Sequence, residues 1–466
     1  MTGCAVVVPS HAGCVTGLQT RLGGPAPRYI LVMAIDADRD LGVDVLIVGG
    51  GMMGNYLARQ LAEDYTICLL TDPSVRVETL EAEGYFSAGY DGNDVSRVQP
   101  ARRAAGYWKL WCESNAVPHD LGDTIAVVPS DALTATTSFW TDASLSFEPL
   151  DSVPAIFEDG SIRDATAFSL ANDVIVSPSD VVNTLRKGIE DRCAEGEVVK
   201  FAMANDSTVE YVEAEINDEM VPVVPRFTVL AASGGNAGLL NKLALRLRDS
   251  TRRREAVEMS KGCQAVRRRY VVCIRGDLPL LSGHFGGLVV TAHPTGDPRT
   301  NIWLVNPAID DQSTILGQDD LRFDPPVDPA VVARTVKQMF AMSPELRGRS
   351  VRLEWAAYVR RKTEHPMMAA PDTTNVGQPA PAKIENMGLD GFMALWPSHL
   401  SYAMIVGELA AERIREALGP RGDFSAGIRV GDLPRSVADL SARWQGPELA
   451  WSDWETFAGT HDLEPR

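Results

Sequence analysis

The sequence predicts an α/β fold in which a domain with a parallel sheet is interleaved with a second domain built on an antiparallel sheet. Three observations lead to this prediction. An apolar strand runs directly into a glycine-rich turn at 45–54. A strand that ends in a small-residue turn follows at 227–240, and a short strand that leads into a helix follows at 390–396. Three β-rich runs separated by Gly and Pro lie between these two, at 267–311.

Length and composition exclude several classes of function. A chain of 466 residues, with 45% hydrophobic and 23% charged residues, is expected to form two joined globular domains. The net charge of −18 argues against a nucleic-acid binder, whose surface must attract phosphates. No run of about 18 apolar residues occurs, so no membrane span is expected.

Cysteine usage and the N-terminus bear on location. Seven cysteines without a C-x-x-C argue against a disulfide framework and a structural zinc site, and predict a cytoplasmic protein without a metal. The first basic residue is Arg21, so no secretory signal is expected. Residues 1–40 have no clear period. They are predicted to be a disordered extension, or to include residues upstream of a true start at Met33; an ordered arm is the alternative.

The glycine-rich stretch has the spacing of a dinucleotide-binding turn. Gly49, Gly51 and Gly54 fit G-x-G-x-x-G directly after the strand Val45–Val48. Gly49 permits the tight turn, and Gly51 lets a diphosphate approach the backbone. Gly54 lets the following helix pack closely on the strand.

A helix, a second strand and an acid complete this unit. Met52 and Met53 open the helix, whose N-terminus favours the negative charge of a diphosphate. The second strand is predicted at Thr66–Leu70, and Asp72 follows it, where a carboxylate accepts hydrogen bonds from the adenosine ribose. A purely structural glycine turn is the alternative.

The later segments favour FAD over NAD as the dinucleotide. A small-residue turn follows the strand near 227, and a helix with Ser398 as its N-cap is predicted to run to about Ala417. A cofactor that reaches from the first turn to this helix must be long, which fits FAD. The cofactor-binding candidates in these segments are Ala232, Gly234, Trp396, Ser398, His399 and Leu400.

In this order the segments resemble the FAD-dependent oxidoreductases of the D-amino-acid oxidase superfamily, particularly the sarcosine-oxidase-like and glycine-oxidase-like branch. The resemblance runs from about Val43 to Leu418 and implies a Rossmann-like FAD-binding domain interleaved with an antiparallel-sheet α+β substrate domain. Ser87 is implied to contact the cofactor. The matching segments are the dinucleotide motif, Ser87-Ala88-Gly89 followed by Asn93–Arg97, Val176-Ser177-Pro178, LAASGGNAGLL, Leu353–Arg360 and GFMALWPSHLSYAMIVGELA.

The chain departs from the family pattern at three places. Trp396 and its neighbours stand where the family has more glycine. The arginine after Trp355 lies one position late against W-x-G-x-R. No cysteine occurs between Trp355 and Leu400, so the covalent cysteinyl flavin of some sarcosine oxidases cannot form at the matching place, and noncovalent FAD is implied.

Domain boundaries are predicted from the resemblance and from the change in sequence pattern along the chain. The antiparallel runs at 267–311 and a helix at about Pro329–Met342 belong to the predicted substrate domain. The predicted boundaries are 41–122, 173–245 and 353–420 for the FAD-binding domain, 123–172 and 246–352 for the substrate domain, and 421–466 for a C-terminal tail.

The resemblance implies an FAD-dependent amine or amino-acid oxidase or dehydrogenase. Its reaction would oxidise a C–N bond of a small amine or amino acid by hydride transfer to flavin N5, with reoxidation by oxygen or another acceptor. Arg360 and Arg97 are the candidates for binding a substrate carboxylate bidentately; a structural ion pair is the alternative for each. Tyr358 and His399 either border the pocket or pack, and Lys261 either assists oxygen or is solvated.

Two other features are interpreted as structural. The triplets Arg252–Arg254 and Arg267–Arg269 are interpreted as solvated or ion-paired faces. Trp444, Trp451 and Trp454 are expected to pack the tail onto its own domain or onto a subunit partner, since an oligomer is possible.

Two other functions stay open on the sequence alone. A flavin monooxygenase or halogenase would carry a second G-D motif followed by a helix, but Gly431-Asp432 comes too late and is followed by a proline. A non-catalytic flavin-binding partner protein is the third interpretation.

Overall fold

The structure is a computed structural model. It describes residues 40–75, 77–90, 95–216, 218–262, 265–307, 315–316, 326–364, 382–397, 400–422, 429–433 and 449–463. The predicted extension at 1–40 therefore lies outside the described residues, apart from Asp40. None of the helices in the described ranges is long and apolar enough to span a membrane.

Two large sheets organise the described part of the chain. The first has the strands β1 Leu41–Val48, β2 Ile67–Thr71, β8 Cys193–Glu195, β9 Glu197–Met203, β10 Val209–Ile216, β11 Glu219–Leu230, β18 Ala382–Glu385 and β19 Phe392–Pro397. The second has β4 Asp123–Val128, β5 Phe147–Pro149, β6 Thr166–Leu170, β12 Ala265–Gly276, β13 Leu281–Phe285, β14 Leu288–Pro294, β15 Asn301–Pro307, β16 Ile315–Leu316 and β17 Glu354–Glu364. A short pair joins β3 Tyr85–Phe86 to β7 Val174–Ile175.

The helices cover these sheets. They are α1 Met52–Leu61, α2 Val95–Ser114, α3 Leu133–Asp142, α4 Pro178–Arg186, α5 Asn236–Ala244, α6 Ser250–Gly262, α7 Pro329–Met342, α8 Pro344–Arg349, α9 Ala403–Leu418 and α10 Trp454–Thr460. The predicted helix at 329–342 is confirmed as α7. It begins after Asp328, whose side chain accepts a hydrogen bond from the Ala330 amide.

The first sheet has the mixed, doubly wound order β18-β19-β11-β1-β2-β8. Strand β1 pairs in parallel with both β11 and β2, so the strand order reverses beside β1. In open sheets of this kind, ligands bind outside the carboxyl ends of the strands at such a reversal.

Helices lie on both faces of the first sheet. Val45 and Ile47 of β1 belong to an apolar cluster shared with α1 and α9, whereas Leu46 and Val48 belong to one shared with α5 and α6. The continuous apolar sequence of β1 follows from this burial on two sides. Helix α9 packs closely on α1, because a Cβ added at Gly407 would lie 2.5 Å from a ring carbon of Tyr56 in α1.

The second sheet is largely antiparallel, as predicted for 267–311, and α7, α8 and α10 pack on one face. Strand β17 pairs along its whole length with β12. The segment that begins at 353 therefore starts in the second sheet. The first sheet resumes only at β18, a correction to the predicted boundary, because hydrogen bonding to β12 fixes the position of β17.

The start of the last long helix is also corrected. The α-helix begins at Ala403 after a 3₁₀ turn at Leu400–Tyr402, and no side chain caps it. The predicted N-cap, Ser398, lies outside the described residues.

The described part of the tail packs against strand β17. Ser452 forms an isolated bridge with Trp355, and Trp454 packs on the Trp355 ring at a centroid distance of 5.0 Å. Trp451 lies over the guanidinium of Arg275 at 4.5 Å. The expectation that the tail packs on its own domain is confirmed for these residues, whereas Trp444 lies outside the described ones.

Candidate cofactor and substrate site

The glycine-rich turn is fixed by contacts that exclude any side chain. Gly49 has a φ of +125°, and a Cβ there would lie 2.4 Å from the carbonyl oxygen of Ala231. A Cβ at Gly54 would lie 1.9 Å from the carbonyl oxygen of Gly49. The turn from β1 into α1 therefore requires glycine at both positions.

The third glycine has a different environment. Among the described atoms, a Cβ at Gly51 would meet only side chains within 4 Å, the nearest being the Thr79 hydroxyl oxygen at 3.2 Å. The same hydroxyl accepts a hydrogen bond of 3.0 Å from the Met52 amide. The space in front of the turn is thus bordered by the segment that carries Thr79.

A second turn lies directly beside the first. The Ala231 amide donates a hydrogen bond to the Val48 carbonyl. A 3₁₀ turn follows at Ser233–Gly235. The Ala232 amide donates to the Asn236 side chain at 2.9 Å. The turns at Gly49 and Ala232 thus meet at the carboxyl edge of the sheet, where β1 and β11 end.

Residues 77–84 connect this edge to the second sheet. Thr79 is bonded to the first turn, and the Glu78 carboxylate accepts from the Ser233 hydroxyl at 3.0 Å. Further along, the Tyr358 hydroxyl of β17 donates to the Glu81 carbonyl at 3.0 Å. One short stretch of chain therefore spans from the two turns to the polar face of the second sheet.

Glu83, at the end of this stretch, holds a buried charged cluster. Its carboxylate forms a bidentate pair with Arg360 of β17, with Nε–Oε1 at 2.8 Å and Nη2–Oε2 at 2.6 Å. Arg269 of β12 lies 3.9 Å away. His293 Nε2 lies 2.7 Å from the Glu83 carbonyl, and Asn306, in the amide orientation its neighbours favour, donates to Oε1 at 3.0 Å. We call Glu83, Arg269, His293, Asn306 and Arg360 the Glu83 cluster.

The electrostatics of this cluster explain its protonation states. Burial alone would raise the pKa of Glu83, but Arg360 and Arg269 outweigh it and hold that pKa at about 2. Burial likewise lowers the pKa of Arg360, and Glu83 overcomes it, so the net shift is upward. Burial lowers the pKa of His293 to about 4, so this imidazole is neutral near pH 7. Burial raises the pKa of Tyr358 well above its usual value.

Strand pairing shows why a carboxylate is needed here. In the antiparallel register, Arg269 stands directly opposite Arg360. Like charges opposite one another destabilise a pair of strands. Glu83 is only 6% exposed and lies against both guanidinium groups, so it offsets this repulsion.

A family model described as FAD-dependent oxidoreductase matches residues 44–412, which include both turns, the connecting stretch and the Glu83 cluster. The chain belongs to this FAD-dependent oxidoreductase family. No curated protein sequence matches the chain.

Several solved structures share the fold of this flavoenzyme. An FAD-dependent oxidoreductase from Pseudomonas aeruginosa is 18% identical with a TM-score of 0.60, covering 85% of this chain and 96% of that chain. Glycine oxidase from Geobacillus kaustophilus is 14% identical with a TM-score of 0.56, covering 85% and 100%. Dithionite-reduced L-alpha-glycerophosphate oxidase from Mycoplasma pneumoniae, with FAD bound, is 14% identical with a TM-score of 0.56, covering 83% and 99%. At these identities the matches establish the fold alone.

FAD is the cofactor of this flavoenzyme, and the residues present fit a dinucleotide. At Gly51 a Cβ would meet no described backbone atom within 4 Å, so the absence of a side chain there leaves the backbone open to a diphosphate rather than serving the packing of the turn. Asp72 directly follows β2, and its Oδ1 accepts from the Ser74 amide at 2.8 Å and the Ser74 hydroxyl at 2.7 Å. FAD, when bound, supplies a two-electron acceptor.

The structure brings part of the predicted flavoenzyme site together. Met52 and Met53 lie buried in the first turn of α1, and Gly234 lies buried in the second turn. Trp396 is buried in β19, beside β11, and its indole N–H has no acceptor among the described atoms. Leu400 is partly buried in the 3₁₀ turn.

Other predicted residues are placed elsewhere or are not described. The Ser87 hydroxyl accepts from the Gly89 amide at 3.0 Å. Lys261 is exposed near the end of α6. Arg97 lies in the first turn of α2, but its side chain is outside the described residues, as are Ser398 and His399. Arg360 has an intramolecular partner in Glu83, so its predicted role as a substrate anchor stays a prediction.

Arginines of the two triplets have described partners that are either carboxylates or backbone carbonyls. Arg253 donates to the Leu247 carbonyl, and Arg254 lies 3.6 Å from Glu258. Arg269 faces Glu83. The interpretation as ion-paired residues therefore holds for Arg254 and Arg269, whereas Arg253 is bonded to backbone.

Sequence reasoning missed Thr79, Glu83 and His293. The opposed arginines at 267–269 and 360–361 were a usable signal, because two strands that paired them would need an acid between them. It could not identify Glu83 among the many acids, since Glu83 lies 277 positions from Arg360 in the chain.

Proposed function

We propose that this flavoenzyme oxidises a C–N bond of a small amine or amino acid. In that reaction the C–H bond next to nitrogen breaks and its electron pair passes as a hydride to FAD. A proton leaves the nitrogen, and a C=N bond forms. Oxygen or another electron acceptor then reoxidises the cofactor.

The observation that carries the proposal is the connecting stretch at 77–84. It joins the dinucleotide turn at Gly51 to the buried polar face of the second sheet through Thr79, Glu81 and Glu83. A substrate between that face and the cofactor would be shielded from water, which helps a hydride transfer. The name of glycine oxidase, one of the structures with this fold, supports C–N chemistry by analogy.

The residues of this chain contribute binding and orientation. Glu83 and Arg360 lock each other in one geometry, and His293, which is neutral, fixes the backbone at Glu83. The Tyr358 hydroxyl donates to Glu81 and stays protonated because burial raises its pKa. In the proposed reaction, these contacts would hold one wall of the site rigid while the substrate is oriented.

We also propose that FAD is held without a covalent bond, because no cysteine lies between Trp355 and Leu400. Acid precipitation of the purified protein should release all of the flavin into the supernatant. Flavin left on the denatured chain would contradict this. The cytoplasmic location and the oligomeric state stay predictions.

A turnover screen tests the function itself. The purified holoenzyme should reduce an artificial electron acceptor in the presence of at least one member of a panel of small primary and secondary amines and amino acids. Release of ammonia or an amine together with a carbonyl compound should match the acceptor reduced. Reduction of the flavin by NADH or NADPH, with no turnover on the panel, would instead indicate a monooxygenase.

A further inference from the structure

We propose that the substrate is an amine that carries no α-carboxylate, because the chain's own Glu83 fills the position on Arg360 that such a carboxylate would need. This inference rests on the proposed C–N oxidation and narrows its substrate class.

The geometry of the pair leaves no place for a second carboxylate on the same edge of the guanidinium. Both Glu83 oxygens are engaged, one by Nε at 2.8 Å and one by Nη2 at 2.6 Å. Glu83 is 6% exposed and Arg360 is 9% exposed. A substrate carboxylate would have to displace the buried carboxylate of Glu83 from Arg360. The displaced Glu83 would then be a buried charge without its partner, which is unfavourable.

Further acidic residues act on the pair besides Glu83. Glu78 and Glu83 interact electrostatically with Arg360, and Glu81 interacts with the neighbouring Tyr358. His293 adds no charge near pH 7, because burial lowers its pKa to about 4. A substrate carboxylate placed at Arg360 would therefore meet the negative charges of Glu78 and Glu83 as well as the positive charge of the guanidinium.

The pair is linked to the dinucleotide turn through the stretch at 77–84. Thr79 contacts the dinucleotide turn at Met52, and Glu83 is four positions further along the same stretch. The Tyr358 bond to Glu81 anchors the stretch between these points. The wall around Arg360 is therefore connected to the cofactor turn by only a few residues.

A panel of matched pairs tests the inference on the wild-type holoenzyme. Each pair consists of an α-amino acid and the amine that results from replacing its carboxylate with hydrogen, such as alanine and ethylamine. We expect kcat/KM for the better amine to exceed that of its amino acid at least tenfold. A preference for the amino acids overturns this inference and leaves C–N oxidation standing. If neither class is turned over, the proposed function fails.

Ligand binding gives a readout that needs no turnover. Acetate and propionate should leave the visible spectrum of the wild-type flavin unchanged at millimolar concentration. Saturable perturbation by these carboxylates would contradict the inference, whatever the enzyme oxidises.

The variant Glu83→Gln sharpens the test. It keeps the shape of the side chain but removes the charge that occupies Arg360, so the amine preference should fall at least tenfold and carboxylates should begin to bind. Glu354→Gln is the matched control. Glu354 lies on β17, the strand that carries Arg360, and pairs with Arg275 of β12, so its replacement should change neither property. An unchanged preference in folded, FAD-loaded Glu83→Gln would contradict the inference. If that variant does not fold, the wild-type preference and the carboxylate titration decide.

Discussion

The Gly49 turn and the Glu83 cluster, which we propose to serve one site, are built in different ways. The turn is formed by residues within one β–α unit, and its requirement is steric: at Gly49 and Gly54 a single Cβ would collide with backbone. The cluster joins residues from β12, β14, β15 and β17 to one loop residue, and its requirement is electrostatic. In the proposed site, the cofactor half is thus fixed by local shape and the substrate half by long-range charge pairing.

The sharpest way to break the cofactor half is Gly51→Val. A branched side chain would occupy the space in front of the turn, and the protein atoms nearest to its Cβ belong to side chains and not to backbone, so we expect loss of FAD binding without loss of the fold. Flavin content and circular dichroism of the purified variant measure both. Gly106→Val, at an exposed helical glycine with open space around it, is the control and should retain FAD. Normal FAD binding by Gly51→Val would mean that the turn is purely structural.

The substrate half is most sensitive at Glu83. Glu83→Ala leaves Arg360 buried without its carboxylate and Arg269 directly opposite, so we expect a loss of about 3–5 kcal/mol in the free energy of unfolding. Denaturant unfolding of the holoprotein measures this. Glu354→Ala removes the carboxylate of a partly exposed ion pair between β17 and β12, and it should lower the free energy of unfolding by at most about 1 kcal/mol. Equal losses in the two variants would refute the special role of the cluster.

The pH dependence of stability separates His293 from Glu83. The folded pKa of His293, about 4, lies below its ordinary value, so the unfolded chain binds more protons and stability falls as pH falls from about 6.5 to 4. Glu83 adds a second decline below about pH 4.5, towards its folded pKa of about 2. Each decline amounts to at most about 3 kcal/mol. Thermal unfolding of His293→Gln should lack the first decline; an unchanged profile would exclude His293 as its cause.

Asp72→Ala should have the smallest effect on the cofactor half. It removes one or two hydrogen bonds to the ribose, so FAD binding should weaken by about 1–3 kcal/mol while Gly51→Val abolishes it. Titration of the apoprotein with FAD measures the difference. Ser74→Ala, which leaves the carboxylate in place, should weaken binding less. Loss of all FAD in Asp72→Ala would show that the acid also holds the loop.

How much the sequence could predict follows the same division. The β1–α1 turn, the α7 helix and the antiparallel runs were predictable because glycine spacing, capping and apolar periodicity act within a few residues. The placement of β17 was not, because its register is set by hydrogen bonds to β12, about 90 positions earlier. The partner of Arg360 was hidden for the same reason, and the short 3₁₀ turn before α9 left no clear sequence signal.

Anaerobic reduction of the bound FAD tests the central claim most directly. Holoenzyme mixed with a small amine in the absence of oxygen should lose its oxidised flavin absorbance, and one equivalent of carbonyl product should appear for each FAD reduced. Flavin that stays oxidised with every amine and amino acid, while the protein is folded and loaded with FAD, would contradict the account.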